Sequence, residues 1–233
     1  MNLQKRKMSK ELVSDYLNKF FMNVEKKTKE KEGKDRYFLW TEWYNSWIDL
    51  SKWLNGLPKD SLLVNRFLEL NKNLLWINNS VLLGAYHQAI RELRFILEFI
   101  VQSYYIDEEH INTDINCKIE IIKEVEKRRF SDLISDIGLK NKGELKGLYK
   151  KLCKFVHPSY REINTDAGSR IAFWYDKELF DECYTLTNKI MDNTIFILIQ
   201  FNKEITENIK KDNILMEFLK KRNCNLSLQT LKT

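Results

Sequence analysis

The stretch LLGAYHQAIRELRFILEFIVQSYY, residues 82–105, decides the fold class. Ala89, Ile90, Leu93, Ile96, Leu97, Phe99, Ile100 and Val101, with Phe95 between them, make it apolar nearly all round. A helix of that kind has neighbours on every side and sits at the centre of a bundle. Its apolar run is broken by charge well before a membrane-spanning length. Where leucines are expected it carries His87, Arg91, Arg94 and Glu98, spaced by four, three and four residues. At 3.6 residues per turn these four lie in line on one helix face.

Working outward from that helix, every neighbouring segment is also helix-like. Residues 60–79 (DSLLVNRFLELNKNLLWINN) form a helix that meets the central one directly, as one long kinked helix or as a tight antiparallel pair. Trp40, Trp43, Trp47, Leu50 and Leu54 recur at spacings of three and four, a helical stripe read as core. Gly56 and Pro58 supply its stop signal. Residues 9–32 read as a charged amphipathic helix with Leu12, Tyr16, Phe20 and Val24 on one side, ended by a break at 31–36 (KEGKDR). On the other flank, residues 108–136 read as one charged amphipathic helix and 144–156 as a short one. A long helix from about Asp176 to Lys211, a short helix over 214–222 and a polar tail complete the chain.

The expected class is therefore all-α: a single-domain bundle of long antiparallel helices with one long loop after residue 157. Its organisation reads as residues 1–36, a charged N-terminal helix and candidate appendage; 37–222, the bundle; and 223–233, the tail. Two prolines and seven glycines in 233 residues fit long helices and exclude a turn-rich β sandwich.

Net charge is +6, but basic residues alternate with acids in KKTKEKEGKDR (26–36) and KEVEKRRF (123–130). That alternation is the pattern of solvated helix faces rather than of one basic patch. Cys117, Cys153, Cys183 and Cys224 lie far apart with no CxxC pair, so no metal and no cofactor is expected. The start MNLQKRKMSKEL has no apolar core, which argues against a signal peptide. A cytoplasmic protein with free thiols and no membrane partner is the simplest reading.

Burying arginines and a glutamate unpaired costs several kcal/mol each, so the stripe pairs internally or meets water or a ligand. Arg94 and Glu98 stand four apart and can bridge; His87 and Arg91 are left for an anion such as phosphate, which suits a guanidinium fork. The stripe is either a functional cleft or a buried network that fixes the register of the bundle.

A second feature is LCKFVHPSYRE, residues 152–162. Proline disfavours helical geometry at the residue before it, so a helix ends near His157 at the mouth of PSYREINTDAGSRIAFWYD. His157 is a proton-transfer group at neutral pH. Lys154, Ser159 and Tyr160 stand beside it as candidate ligand contacts.

RELRFILEFIVQSYYID (91–107), followed some fifty residues on by LYKKLCKFVHPS (148–159), resembles the HEPN-like helical bundles (higher-eukaryote-and-prokaryote nucleotide-binding), in a prokaryotic branch akin to abortive-infection proteins. The resemblance spans about residues 60–200. It implies a homodimeric helical bundle in which Arg94 and Glu98 on a central helix face His157 near the end of another. It further implies RNA or a nucleotide as partner, and for catalytic members a metal-independent endoribonuclease in host defence. In those members an arginine precedes the histidine; here the basic residues upstream of His157 are Lys150, Lys151 and Lys154. A lysine neutralises phosphate as a point charge but cannot supply the bidentate fork. The expected function is thus a polar cleft that binds an anionic ligand such as RNA or nucleotide phosphate. The alternatives are the endoribonuclease and a non-catalytic helical dimer with a structural polar network.

Overall fold

The structure is a computed structural model that describes residues 22, 24–54, 58–156 and 175–232. His157, Ser159, Tyr160 and the loop that follows, with Leu12, Tyr16, Phe20 and Gly56, lie outside the described residues. Among the described residues the secondary structure is helical, with no strand. None of these helices is long and apolar enough to cross a membrane.

A first helix, α1, covers residues 24–37. The break expected at 31–36 is absent. Glu32 is buried and paired with Arg36 one turn on at 2.5 Å, while Gly33 takes a left-handed φ of 72° without ending the helix. Arg36 also bonds Asp181 and lies over the rings of Phe180 and Tyr184, and Glu32 accepts from Tyr175. The described part of the N-terminal helix is therefore docked on the bundle.

Helix α2 (Leu39–Leu54) carries the tryptophan stripe, and the core reading holds. Trp40, Trp43 and Trp47 are fully buried. Each indole N–H has a partner: Thr187 Oγ1 at 3.0 Å, Asn188 Oδ1 at 2.9 Å and the Phe67 carbonyl at 3.0 Å. Trp47 also stacks flat on Phe67, with ring centroids 3.8 Å apart.

Helices α3 (Leu62–Leu82) and α4 (Tyr86–Glu109) are the tight antiparallel pair, joined through Gly84 at φ 73°. Asn73 meets Glu92 near one end, and the amides of Leu62 and Leu63 meet Asp107 at the other. The segment 108–136 is not one helix. It divides into α5 (Ile115–Val125) and α6 (Phe130–Asp136), with α5 capped by Asp114. Val125 and Phe130 are both buried, and the turn between them lets each helix aim its apolar side inward. Helix α7 (Lys142–Val156) returns antiparallel to α4, with Phe155 beside His87 and Tyr149 beside Arg94.

Helix α8 (Lys177–Phe201) runs parallel to α4 within the all-α bundle. The Cys183 thiol meets the Tyr86 carbonyl at one end, and Tyr104 meets Phe201 at the other. The long helix expected to reach Lys211 ends at Asn202, whose side chain caps α9 (Lys203–Lys211). Asp212 caps α10 (Asn213–Lys221), and Arg222 and Lys221 tie that helix to Glu42 of α2.

The polar tail is a helix too, α11 (Asn225–Lys232), packed on α8. Asp192 of α8 accepts from the amides of Leu226 and Ser227 at 3.0 and 2.9 Å, capping its first turn from outside. Helix α4 touches α3, α5, α6, α7 and α8, the central position its composition implies. All four cysteines are free thiols, with Cys183 and Cys224 buried.

Candidate functional site

The stripe on α4 divides into two lines. His87 and Arg91 stand exposed on one, and Phe95 continues it at 44% exposure, although its residue type suggests core. Arg94 and Glu98 form the second line, half-buried against α7. Arg94 Nε donates to Glu98 Oε1 at 2.8 Å, the pair the spacing predicts. Its Nη2 donates to the Tyr149 hydroxyl at 3.1 Å, and the guanidinium lies 5.1 Å from the centre of that ring. Burial works against the Arg94 charge, but Glu98 outweighs it and holds the guanidinium above its ordinary range.

Arg94 and Glu98 open onto a cleft of about 430 Å³ between α3, α4, the α5–α6 turn and α7. Three further arginines line it: Arg66 of α3, and Arg128 and Arg129 of the turn. With Arg94 they oppose two glutamates, Glu98 and Glu126, a formal surplus of two positive charges. Arg128 is held by Asp136 and by the Tyr105 hydroxyl, the latter at 3.0 Å.

Arg66 differs from the other cleft arginines in its setting. Its guanidinium carbon sits 3.3 Å from the centre of the Phe99 ring, and its one hydrogen bond among the described residues goes to Ser103 Oγ at 3.3 Å. No carboxylate lies within ion-pair distance of it among the described residues. Burial pushes its pKa down to about 10, with Glu69 and Glu126 opposing the fall from further away. The group is still a full cation at neutral pH, and among the described residues none of its donors is claimed by a carboxylate.

Of the residues singled out in the sequence, Arg94 and Glu98 line this cleft. His87 and Arg91 do not; His87 turns toward Phe155, with ring centroids 6.2 Å apart. Lys154 is exposed on α7, and Lys151 pairs with Glu182 of α8 at 2.6 Å. His157, Ser159 and Tyr160 lie outside the described residues. Arg66, Arg128 and Arg129 escaped the sequence reading. KEVEKRRF was read as a solvated helix face, but it spans a turn that delivers two arginines to the cleft. The readable signal there is three basic residues in a row immediately before a buried Phe130.

A second polar cluster is wholly interior. Asp107 accepts from Ser61 Oγ, the amides of Leu62 and Leu63, and Lys118 Nζ, all within 2.9 Å. Lys118 gives another bond to the Asp60 carbonyl. Every charge in the cluster has a partner, so it serves to hold the start of α3 rather than to receive a ligand.

Comparison with protein-family models, with curated proteins and with solved structures finds no match to the chain.

Proposed function

We propose that this HEPN-like helical protein binds a phosphate-bearing anion, RNA or nucleotide phosphate, in the arginine cleft and does not turn it over. The observation that carries the reading is Arg66: a partly buried guanidinium without a carboxylate partner among the described residues, on the face of Phe99, in a cleft with surplus positive charge. Such a group gains most from an anion that accepts its unclaimed donors, and the fork geometry matches phosphate oxygens. Arg94, fixed by Glu98 and Tyr149, adds a second oriented guanidinium at no further ordering cost. The HEPN resemblance implies that Arg94 and Glu98 face His157; the pair turns toward α7, the helix that precedes that histidine in the chain, and His157 itself lies outside the described residues. Binding is favoured over turnover because the basic residues upstream of His157 are Lys150, Lys151 and Lys154, which cannot supply the guanidinium fork that the catalytic members place there.

Calorimetric titration of the full chain with a nucleoside monophosphate and with a short RNA, both in EDTA, tests the reading. Arg66→Gln should weaken binding about tenfold or more, as expected for hydrogen bonds to a charged group. Binding should also fall as salt rises. No heat from either ligand, or equal binding by wild type and a folded Arg66→Gln, would remove the proposal. The RNA should be recovered intact; shortening that disappears in His157→Ala would replace binding by endoribonuclease action. The homodimer belongs to the same reading, and light scattering at the monomer mass of 28.1 kDa would exclude it.

A further inference from the structure

The anion-binding reading leaves one side of the cleft without a purpose. Phe95 stands at its mouth, 44% exposed, with its ring centroid 5.3 Å from that of Phe99. Phe99 in turn carries the Arg66 guanidinium on its face, so Arg66 and Phe95 both contact the same ring. Across the cleft, Phe130 and Tyr149 meet at 4.5 Å, and Arg94 lies over the Tyr149 ring. Of the four rings that line the cleft, Phe99 and Phe130 are buried and Tyr149 is half-buried, which leaves Phe95 as the exposed ring beside the arginines. A bare phosphate would use the arginines and leave Phe95 in water, and the cleft's 430 Å³ is of the size that holds a small organic molecule. A long polyanion fits less well, because Glu98 and Glu126 interrupt the arginines where a strand would need an unbroken basic groove.

We infer that the cleft takes a phosphate monoester carried on a planar aromatic body, with Arg66 holding the phosphate and Phe95 covering the ring as the specificity-determining residue. This rests on the anion-binding reading above and adds the nature of the ligand's body. Aromatic stacking beyond simple burial favours a planar ligand by several-fold, and area covered on Phe95 adds to that.

The test titrates the full chain with glycerol phosphate and with phenyl phosphate, two monoesters that differ in the planar ring. Phenyl phosphate should bind about tenfold more tightly. Phe95→Ala should abolish that advantage and leave glycerol phosphate unchanged; Arg66→Gln should weaken both. Because Phe95 is exposed, its variant is expected to fold, and Phe95→Leu, apolar but not planar, should recover only part of the preference. Equal binding of both esters, still lost in Arg66→Gln, overturns the aromatic inference while the anion reading stands. A phenyl preference that survives Phe95→Ala overturns the assignment of that residue. Failure of both esters to bind overturns inference and reading together.

Discussion

Asp107 of α4 and Lys118 of α5 form a 2.8 Å ion pair whose side chains are only 1% and 3% exposed. The carboxylate also takes the first amides of α3, so three helices converge on one acidic group. Asp107→Ala should lower the free energy of unfolding by about 3–5 kcal/mol, because it strands a buried ammonium and two helix-end N–H groups at once. Lys118→Met should cost less, since Asp107 keeps Ser61 and both amides. Urea denaturation of the two variants decides the order. Equal losses would mean that the carboxylate organises the junction only as half of its pair with the ammonium.

Glu98 sits in the cleft as a competitor for any anion, while also fixing Arg94. Tyr149 already orients the same guanidinium, so Glu98→Gln keeps a hydrogen-bond acceptor and removes only charge. Phosphate-ester affinity should rise about threefold, the size expected for relief of one partly screened repulsion. A fall measured by the same calorimetry would show that the ion pair itself is needed to aim Arg94.

Tyr37, Tyr104 and Tyr149 are each pushed up to about 12, in every case first by burial. Glu25, Glu108 and a bond to Cys153 respectively add to the effect. A folded pKa above the unfolded value of 10 means that the native state holds its proton where the unfolded chain has released it. The stability they contribute is complete below pH 10 and drains away as pH climbs through about 12. Phenolate absorbance should therefore show a late group in native protein that merges with the rest in denaturant. A single native transition near pH 10, with helical circular dichroism retained, would contradict these environments.

Helix α11 owes its first turn to Asp192, whose oxygens also take the Ser227 hydroxyl at 2.5 Å. Asp192→Ala should release the helix, at a cost of about 1–2 kcal/mol typical of a lost cap. Amide exchange should speed up over residues 225–232 and stay slow in α3 and α4. Uniform acceleration across the chain would show that α11 is not a separable unit.

The parts of this fold that were legible in advance are those written at helical spacing. The tryptophan stripe of α2, the apolar girth of α4 and the Arg94–Glu98 pair are all local patterns of three and four residues. The misplaced boundaries have a different origin. Apolar spacing continues past Asn202 through Phe201, Ile205 and Ile209, so periodicity alone joins helices that the packing separates, while the charged run 126–129 reads as one more solvated turn of a helix. Asn202 and Asp212 are N-cap residue types and do bond the amides of Glu204 and Leu215, a signal that outranks periodicity here. The tail looks polar because one carboxylate on another helix, rather than apolar area of its own, positions its start. The cleft was half legible. Arg94 announces itself from within an apolar run, whereas Arg66 and Arg128 look like any surface arginines until the fold brings α3 to the α5–α6 turn.

The tryptophans of α2 carry a consequence for biosynthesis. Trp40 and Trp43 find their indole partners on Thr187 and Asn188, 147 and 145 positions further along the chain. At about 5–20 residues per second, a ribosome needs roughly 7–30 s to make that stretch. Throughout that interval two large aromatic rings wait without α8 to cover them. The nascent chain is thus most adhesive in the middle of its synthesis, and its yield in cells should depend on chaperones that engage it early.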